Sequence, residues 1–215
     1  MEIIFKNHVG QVENRSINLC EVEAINVDDP IDAMNNGFYC QYIDDKPLWR
    51  QARLTRINLP QYKRKNVEFT IAIGHPINTD RYTQIYHEYM DQRGYFKHPG
   101  DDQFCLGKEQ AIEYWDPNNL EDINGIIGWS KIVTIDDYVD LKLFAVLDNQ
   151  LGITSKNTLN FELDHFQNAL YRYAYLGPSY QRSAIFKSKI KGFEWWTGSG
   201  WSIDTREYIK RCLAD

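Results

Sequence analysis

The stretch IIGWSKIVTIDDYVDLKLFAVL, residues 126–147, decides the fold. It holds two runs rich in apolar, β-branched and aromatic residues, and the pair Asp136-Asp137 separates them. Two runs of this kind joined by a two-residue turn are typical of a β-hairpin. The stretch therefore predicts two long strands paired antiparallel.

A helix and two strands are predicted to follow this hairpin. Apolar residues recur at helical spacing over residues 159–173. The aromatic run 173–176 has strand propensity and ends where Gly177-Pro178 interrupts it. A further β segment is expected at residues 193–196. The order predicts an α+β protein with a mostly antiparallel sheet and flanking helices, and it is similar to the order of the N-acetyltransferase-like (GNAT-like) fold.

Upstream of the hairpin the pattern changes from β to α. We expect strands at residues 37–43, 49–59 and 68–74. A helix is predicted from about Thr79 to Arg93, and a short helix around residues 108–114. No repeat or linker divides the chain, so we expect one domain, residues 1–215. In it a β-rich part, residues 1–75, packs on an acetyltransferase-like core, residues 76–215.

The composition is that of a folded globular protein. The chain has 215 residues, of which 43% are hydrophobic and 25% are charged, and its net charge is −6 at pH 7. The scattered cysteines form no C-x-x-C pair and lack histidines at zinc-ligand spacing, which disfavours a metal site and favours reduced thiols. No run approaches the roughly 20 apolar residues of a membrane helix, and the N-terminal run is too short for a signal peptide. We therefore expect a cytoplasmic protein with no membrane partner.

Two basic stretches interrupt the acidic total. Residues 46–65 contain seven Lys or Arg residues and no Asp or Glu. Residues 182–191 add four more cations. We expect both stretches to lie on one side of the fold and to bind a polyanion, with Arg53 and Arg56 on one strand face. A solvated face with no binding function is the competing interpretation. The cations are Lys46, Arg50, Arg53, Arg56, Lys63, Arg64, Lys65, Arg182, Lys187, Lys189 and Lys191.

Three segments resemble a known family. YAYLG, residues 173–177, matches its Tyr-x-Tyr-Leu-Gly strand, and Phe186-Lys187 stands about ten residues later where the family has Tyr-Lys. RLTRINLPQYKRK, residues 53–65, is similar to its basic segment, and YHEYMDQRG, residues 86–94, resembles its Tyr-x-x-Tyr helix. Over roughly residues 37–201 the chain looks like a shortened, divergent relative of the arginyl-tRNA-protein transferases and their bacterial leucyl-transferring counterparts.

This resemblance implies transfer of an aminoacyl group from a charged tRNA to a protein N-terminus or a small amine, with no dissociable cofactor. Because an aminoacyl ester is already activated, such a protein positions the ester and supplies donors to the oxyanion, without a covalent nucleophile. The expected catalytic residues are Lys187, Tyr175 and Tyr180. The expected substrate- or tRNA-binding residues are Arg50, Arg53, Arg56, Lys63, Arg64, Ser155, Lys156, Asn157 and Arg182.

Two other functions stay open at this point. One is an acyl-CoA-dependent N-acyltransferase, and the other is a noncatalytic RNA- or protein-binding module on the same fold. Acyl-CoA users of this fold place a glycine-rich turn before the helix that follows the hairpin, so that backbone N–H groups hold the pyrophosphate. Here QLGITSKNT, residues 150–158, has a single glycine, Gly152. The sequence thus disfavours CoA, but it does not separate catalysis from binding alone.

Overall fold

The computed structural model describes residues 1–12, 15–43, 46–97, 100–105, 107–147, 153–180 and 182–214. The chain divides into two compact units. Unit 1 comprises Met1–Lys63, Ile135–Tyr138 and Arg172–Asp215, and unit 2 comprises Arg64–Thr134 and Val139–Tyr171. The C-terminal segment therefore groups with the N-terminal one. The packing of residues 1–75 on residues 76–215 stays a prediction.

The described residues form an α+β protein. Its helices are α1 (Pro30–Asn35), α2 (Thr79–Arg93), α3 (Ser155–Asn168) and α4 (Thr205–Ala214). Its strands β1 to β12 are, in chain order, Glu2–Val12, Arg15–Ile25, Phe38–Ile43, Lys46–Gln51, Leu54–Asn58, Ile71–Gly74, Gln110–Trp115, Ile126–Ile135, Tyr138–Val146, Tyr173–Pro178, Phe193–Trp196 and Trp201–Ser202.

Unit 1 contains two sets of antiparallel strands. One set has the order β1-β2-β4-β3, and the other has the order β12-β11-β5-β10. β5 lies between β10 and β11, and its residues Leu54 to Ile57 are all buried. The pairing of β10 with β5 shifts between Tyr175 and Pro178, where Gly177 has a φ of 71°. This left-handed conformation suits glycine, and it makes a bulge at the end of β10.

Unit 2 has two helices on opposite faces of its strands, which follow the order β9-β8-β7-β6. Successive side chains along β7 point to opposite faces. The Tyr114 hydroxyl contacts Glu162 of α3, whereas the adjacent Glu113 accepts a hydrogen bond from Asn78, which precedes α2. α2 ends at Gly94, whose φ of 62° is the left-handed cap that commonly stops a helix.

Several predicted elements are confirmed. The α+β class and the mostly antiparallel pairing are present, and β8, β9 and the turn Asp136-Asp137 form the predicted hairpin. α2, α3, β10 and β11 also lie where they were expected. The acetyltransferase-like topology, which is a finer statement, stays a prediction.

Two predicted elements are wrong. The short helix expected at residues 108–114 is instead β7, because pairing with both β6 and β8 outweighs local helical propensity. The strand expected at residues 49–59 is two strands, β4 and β5, which belong to different sets and are separated by Ala52-Arg53. The β1–β2 hairpin, α1 and α4 were not predicted at all. None of the described helices is long and apolar enough to cross a membrane.

Candidate active site

Lys187 lies at the end of β10 in unit 1. It belongs to a 3-10 helical segment, Arg182–Lys189, that follows the turn at Gly177-Pro178. Its Nζ atom is 2.7 Å from the carbonyl oxygen of Leu176 and 3.2 Å from the Oγ of Ser179. The turn thus folds the 3-10 segment back on the end of β10, so that the Lys187 amine donates hydrogen bonds there.

Two buried hydroxyls extend this contact. Ser179 Oγ is 3.2 Å from Thr55 Oγ1, and Thr55 Oγ1 is also 3.2 Å from the carbonyl oxygen of Gly177. Thr55 is fully buried, and Ser179 is 2% exposed. We call Thr55, Ser179 and Lys187 the lysine site. It joins β5 to β10 at the bulge.

The direction of each hydrogen bond in the lysine site follows from the available protons. The Gly177 carbonyl can only accept, so it takes the Thr55 hydroxyl proton, and Ser179 then donates to Thr55. A protonated Lys187 donates to Ser179. A neutral Lys187 has a lone pair, to which the Ser179 hydroxyl can turn and donate. The site therefore has two hydrogen-bond arrangements, and the proton on Lys187 selects between them.

Burial lowers the pKa of Lys187 from its ordinary 10.5 to about 8, and the nearby Cys212 thiol partly offsets that effect. Within the described part of the chain, no carboxylate forms an ion pair with its Nζ. An ammonium that leaves water without a counter-charge loses its proton more easily. Roughly a fifth of such amines are neutral just below pH 7.5.

Tyr180 and Arg53 border the lysine site. The backbone N–H of Arg53 donates to the Tyr180 hydroxyl at 3.1 Å, and the Arg53 guanidinium lies 5.3 Å from the centre of the Tyr180 ring. Ser179 N–H in turn donates to the Arg53 carbonyl at 3.0 Å. The structure therefore brings Lys187, Tyr180 and Arg53 together, all of which were predicted as site residues. Their roles stay predictions.

Arg56 lies in a separate buried cluster of unit 1. It is 6% exposed, and its Nη2 atom forms an ion pair with Glu194 at 2.7 Å. Its Nη1 atom donates to Asn35 and to the Tyr175 hydroxyl, both at 3.1 Å. The guanidinium carbon is 3.8 Å from the centre of the Trp201 ring. We call this group the arginine cluster: Asn35, Arg56, Tyr173, Tyr175, Glu194 and Trp201.

The arginine cluster corrects the expectation that Arg53 and Arg56 lie on one strand face and bind phosphate there. Arg53 lies in the break between β4 and β5, whereas Arg56 lies within β5 and is paired inside the unit. Tyr175 belongs to the same cluster, since its hydroxyl contacts Arg56 and Asn35. Burial raises the pKa of Tyr175, although the Arg56 charge partly opposes that rise. Neither side chain is at the surface expected for tRNA contact.

The other predicted binding residues are scattered over both units. Arg50 of β4 lies 4.0 Å from Glu23 and donates to Gln41. Lys63 and Arg182 are exposed. In unit 2, Arg64 donates to Gln167 of α3. The remaining three, Ser155, Lys156 and Asn157, form the first turn of α3, and the Asn157 N–H donates to the Thr154 capping hydroxyl.

The sequence places three carboxylates, Asp148, Glu162 and Asp164, near the loop before α3, where such charges are common at a helix start, and unit 2 buries one of them. Glu162 of α3 is 4% exposed, and its Oε1 atom accepts from Tyr114 at 2.6 Å and from Ser130. Burial raises its pKa to about 7, and the two hydroxyl hydrogen bonds partly offset that rise. Asp164, two residues further along α3, instead accepts hydrogen bonds from the backbone N–H groups of Lys65 and Val67. Asp148 lies outside the described residues.

No group of three or more His, Cys, Asp or Glu side chains is placed to hold a metal ion in the part of the chain that the structure describes. The lysine site itself is built from amine and hydroxyl groups. Sequence reasoning selected Lys187 but missed Ser179 and Thr55. Ser179 directly follows β10 and Lys187 lies in the 3-10 segment, so no helical or strand periodicity connects them, and only the bulge brings Thr55 to them.

No known sequence family and no curated protein matches this chain. Among solved structures, it is similar to the C-terminal domain (DUF2156) of a protein assigned as a lysylphosphatidylglycerol synthetase from Agrobacterium fabrum, with a TM-score of 0.41, 9% identity, and 70% of this chain and 50% of that chain covered. L-PGS from Bacillus licheniformis has a TM-score of 0.43 and 8% identity, and the match covers 71% of this chain and 52% of that chain. A GCN5-related N-acetyltransferase from Kribbella flavida has a TM-score of 0.35 and 9% identity, and the match covers 60% of this chain and 48% of that chain.

The chain thus spans about half the length of these solved structures. An N-acetyltransferase and a synthetase domain stand among its neighbours, but TM-scores below 0.5 carry no argument about function. Membership of the arginyl- or leucyl-transferring family stays a prediction. The chemistry of the lysine site has to be argued from its own residues.

Proposed function

We propose that this protein is an acyltransferase that moves an aminoacyl group from a charged tRNA to an amine, either a protein N-terminus or a small amine. The observation that carries the proposal is the Lys187 amine, whose pKa burial lowers to about 8. Among the described residues its two hydrogen-bond acceptors are a carbonyl and a hydroxyl, and neither is charged. Such an amine can accept a proton near neutral pH.

Aminolysis of an ester needs a group of this kind. The attacking amine forms a C–N bond, the ester C–O bond breaks, and one proton has to move from the attacking group to the leaving oxygen. A base whose pKa lies near the working pH transfers that proton most effectively. Lys187 accepts the proton from the attacking group and returns it to the departing hydroxyl, so that no proton is lost.

Exposed cations of unit 1 supply the electrostatic part of the proposal. Arg182 and Lys189 lie at the two ends of the 3-10 segment that carries Lys187, and both are exposed. Phosphate oxygens of a tRNA are bound chiefly by such side chains, which position the nucleic acid without reading its sequence. Cations that flank the proton acceptor favour an anionic donor such as a charged tRNA.

The test is transfer of labelled amino acids from a pool of charged tRNAs to two acceptor sets, peptides with different N-terminal residues and small primary amines. We expect Lys187→Met to lower the transfer rate at least about 100-fold, the usual contribution of a positioned base. The rate should rise as pH increases through about 8, where Lys187 loses its proton. Lys189→Met, which removes an exposed cation from the same segment, is the matched control and should keep the pH profile.

Absence of transfer from every charged tRNA to every acceptor would remove the proposal. The same assay with acetyl-CoA as donor separates the alternatives. Transfer from acetyl-CoA alone would identify an acyl-CoA-dependent enzyme, and absence of transfer from either donor would leave a binding module.

A further inference from the structure

The lysine site contains a hydroxyl that the proposed reaction does not use. Ser179 Oγ lies 3.2 Å from Lys187 Nζ on one side and 3.2 Å from Thr55 Oγ1 on the other. A hydroxyl in hydrogen-bond reach of a base, with a third group that orients it, is the arrangement of an activated nucleophile. The contacts thus give Ser179 the neighbours that such a nucleophile requires.

We propose that Ser179 is a catalytic nucleophile that carries the acyl group as an ester on its Oγ atom, with Lys187 as its base and Thr55 as a positioning residue. The inference rests on the proposed function and adds a covalent intermediate to it. In this mechanism the first proton that Lys187 accepts comes from the Ser179 hydroxyl.

The hydrogen-bond arrangement supports this assignment. While Lys187 is protonated, it donates to Ser179, and Ser179 donates to Thr55, so the serine proton points away from the amine. When Lys187 is neutral, its lone pair can take the serine proton. Thr55 is fully buried, so it cannot exchange these partners for water, and it keeps Ser179 Oγ in place.

Three other groups contact Ser179. Its backbone N–H donates to the Arg53 carbonyl, and its own carbonyl accepts a hydrogen bond from the Cys212 thiol at 3.9 Å. The Tyr208 phenol forms a side-chain hydrogen bond with Ser179, and burial raises the pKa of that phenol, so it does not compete with Lys187 as a base near neutral pH. Arg53 is the nearby cation. The described groups that surround Ser179 include no carboxylate that would hold the Lys187 proton.

The two half-reactions balance. In the first, Ser179 Oγ bonds to the ester carbonyl carbon, its proton passes to Lys187 Nζ, the ester C–O bond breaks, and the departing hydroxyl takes the proton. In the second, the acceptor amine bonds to the same carbon and gives a proton to Nζ, the bond to Ser179 Oγ breaks, and that oxygen regains the proton. The net change is ester plus amine to amide plus alcohol.

A purely structural role is the competing explanation, because buried hydroxyls often satisfy one another. Chemical reactivity separates the two. A fluorophosphonate probe phosphonylates activated serines: the serine oxygen bonds to phosphorus and fluoride leaves. Peptide mass mapping then locates the adduct in the unmutated full chain. We expect an adduct at Ser179 whose rate of formation rises as pH increases through about 8.

Four variants test which residues the labelling reaction requires. Ser179→Ala should form no adduct, and Lys187→Met should slow labelling at least about 100-fold, the usual contribution of a base to an activated hydroxyl. Ser188→Ala is the matched control, since Ser188 lies in the same 3-10 segment but donates to the Ile185 carbonyl. The probe should label this variant at the same rate as the unmutated protein. Thr55→Val keeps shape but removes the positioning hydroxyl, and it should slow labelling without moving the adduct.

Several results would overturn the inference. They are the absence of an adduct under conditions that label a known serine hydrolase, an adduct at another residue, and equal labelling rates with and without the Lys187 amine. If Ser179→Ala keeps full aminoacyl transfer, the covalent step is wrong while the proposed function stands. If Ser179 labels in a Lys187-dependent way but no charged tRNA supports transfer, the nucleophile is supported and the donor assignment fails.

Discussion

Replacing Lys187 with methionine should change how the free energy of unfolding depends on pH. Burial lowers the pKa of Lys187 in the folded protein to about 8, while the unfolded chain has the ordinary value of 10.5. Between these two values the unfolded state binds a proton that the folded state has lost, so the stability of the unmutated protein rises with pH. Below pH 8 both states are protonated, and the folded state carries the whole penalty of the buried charge.

The size of the effect follows from the same two values. A tenfold change in proton affinity corresponds to about 1.4 kcal/mol, so a pKa lowered from 10.5 to about 8 makes the folded state about 3 kcal/mol less stable below pH 8. The two hydrogen bonds that Lys187 donates are worth about 1 kcal/mol each. Lys187→Met should therefore be about 1 kcal/mol more stable than the unmutated protein at pH 7 and about 2 kcal/mol less stable above pH 10.5.

Urea unfolding followed by tryptophan fluorescence at pH 7 to 10.5 measures this difference. Groups that titrate in both proteins cancel when the two curves are subtracted, which isolates Lys187. Lys189→Met is the control, because it removes an exposed cation of the same segment. If the unmutated protein and Lys187→Met differ by the same free energy at every pH, Lys187 is an ordinary solvated lysine, and the reasoning about the lysine site is refuted.

Three further predictions concern the rest of the fold. Arg56→Met should lower the free energy of unfolding by about 3 kcal/mol, because the partly buried Glu194 carboxylate loses its cation and keeps only the Asn58 hydrogen bond among those described. Urea unfolding of the double variant Arg56→Met, Glu194→Met should recover part of that loss, and no recovery would contradict the ion-pair account. Gly37→Ala should lower the thermal midpoint, since its φ is 79° and a Cβ would lie 2.4 Å from the Trp196 ring; an unchanged midpoint would show that this contact is not formed. In the unmutated protein the free energy of unfolding should fall by about 3 kcal/mol as pH rises from 4.5 to above 7, because burial raises the carboxyl pKa of Glu162 to about 7. Glu162→Gln should remove that fall, and parallel curves of unfolding free energy against pH for the two proteins would contradict this account.

Local sequence patterns were sufficient to predict those elements whose apolar periodicity agrees with the turn or capping residues at their ends. The β8–β9 hairpin has a two-residue turn between two apolar runs, and α2 has helical spacing with a glycine directly after it. β7, by contrast, lies where a short helix was predicted. Its strand conformation depends on partners β6 and β8, which lie about 35 residues before it and about 15 after it in the sequence.

The candidate site was predictable only in part, for a geometric reason. Lys187 and Tyr180 stood out by their place after the Tyr-Leu-Gly strand. Ser179 and Thr55 carry no spacing signal, since Thr55 reaches the site through the pairing of β5 with β10 and the bulge at Gly177. Counting charge along the sequence also could not show whether a cation lies inside or outside the fold.

A comparison of two cations of unit 1, the buried Arg56 and the partly buried Lys187, shows why Lys187 is the one suited to catalysis. Arg56 sits opposite the Glu194 carboxylate and between aromatic rings, so its charge is compensated and it ties β5 to β10 and β11. Among the residues that the structure describes, Lys187 donates to neutral acceptors, so burial acts on its proton instead. A paired guanidinium stabilises strand packing and gives up no proton, because arginine stays charged in proteins. An uncompensated amine near neutrality is poorly suited to hold a fold together, yet it can exchange a proton with a neighbouring hydroxyl, and Ser179 is the hydroxyl within its reach.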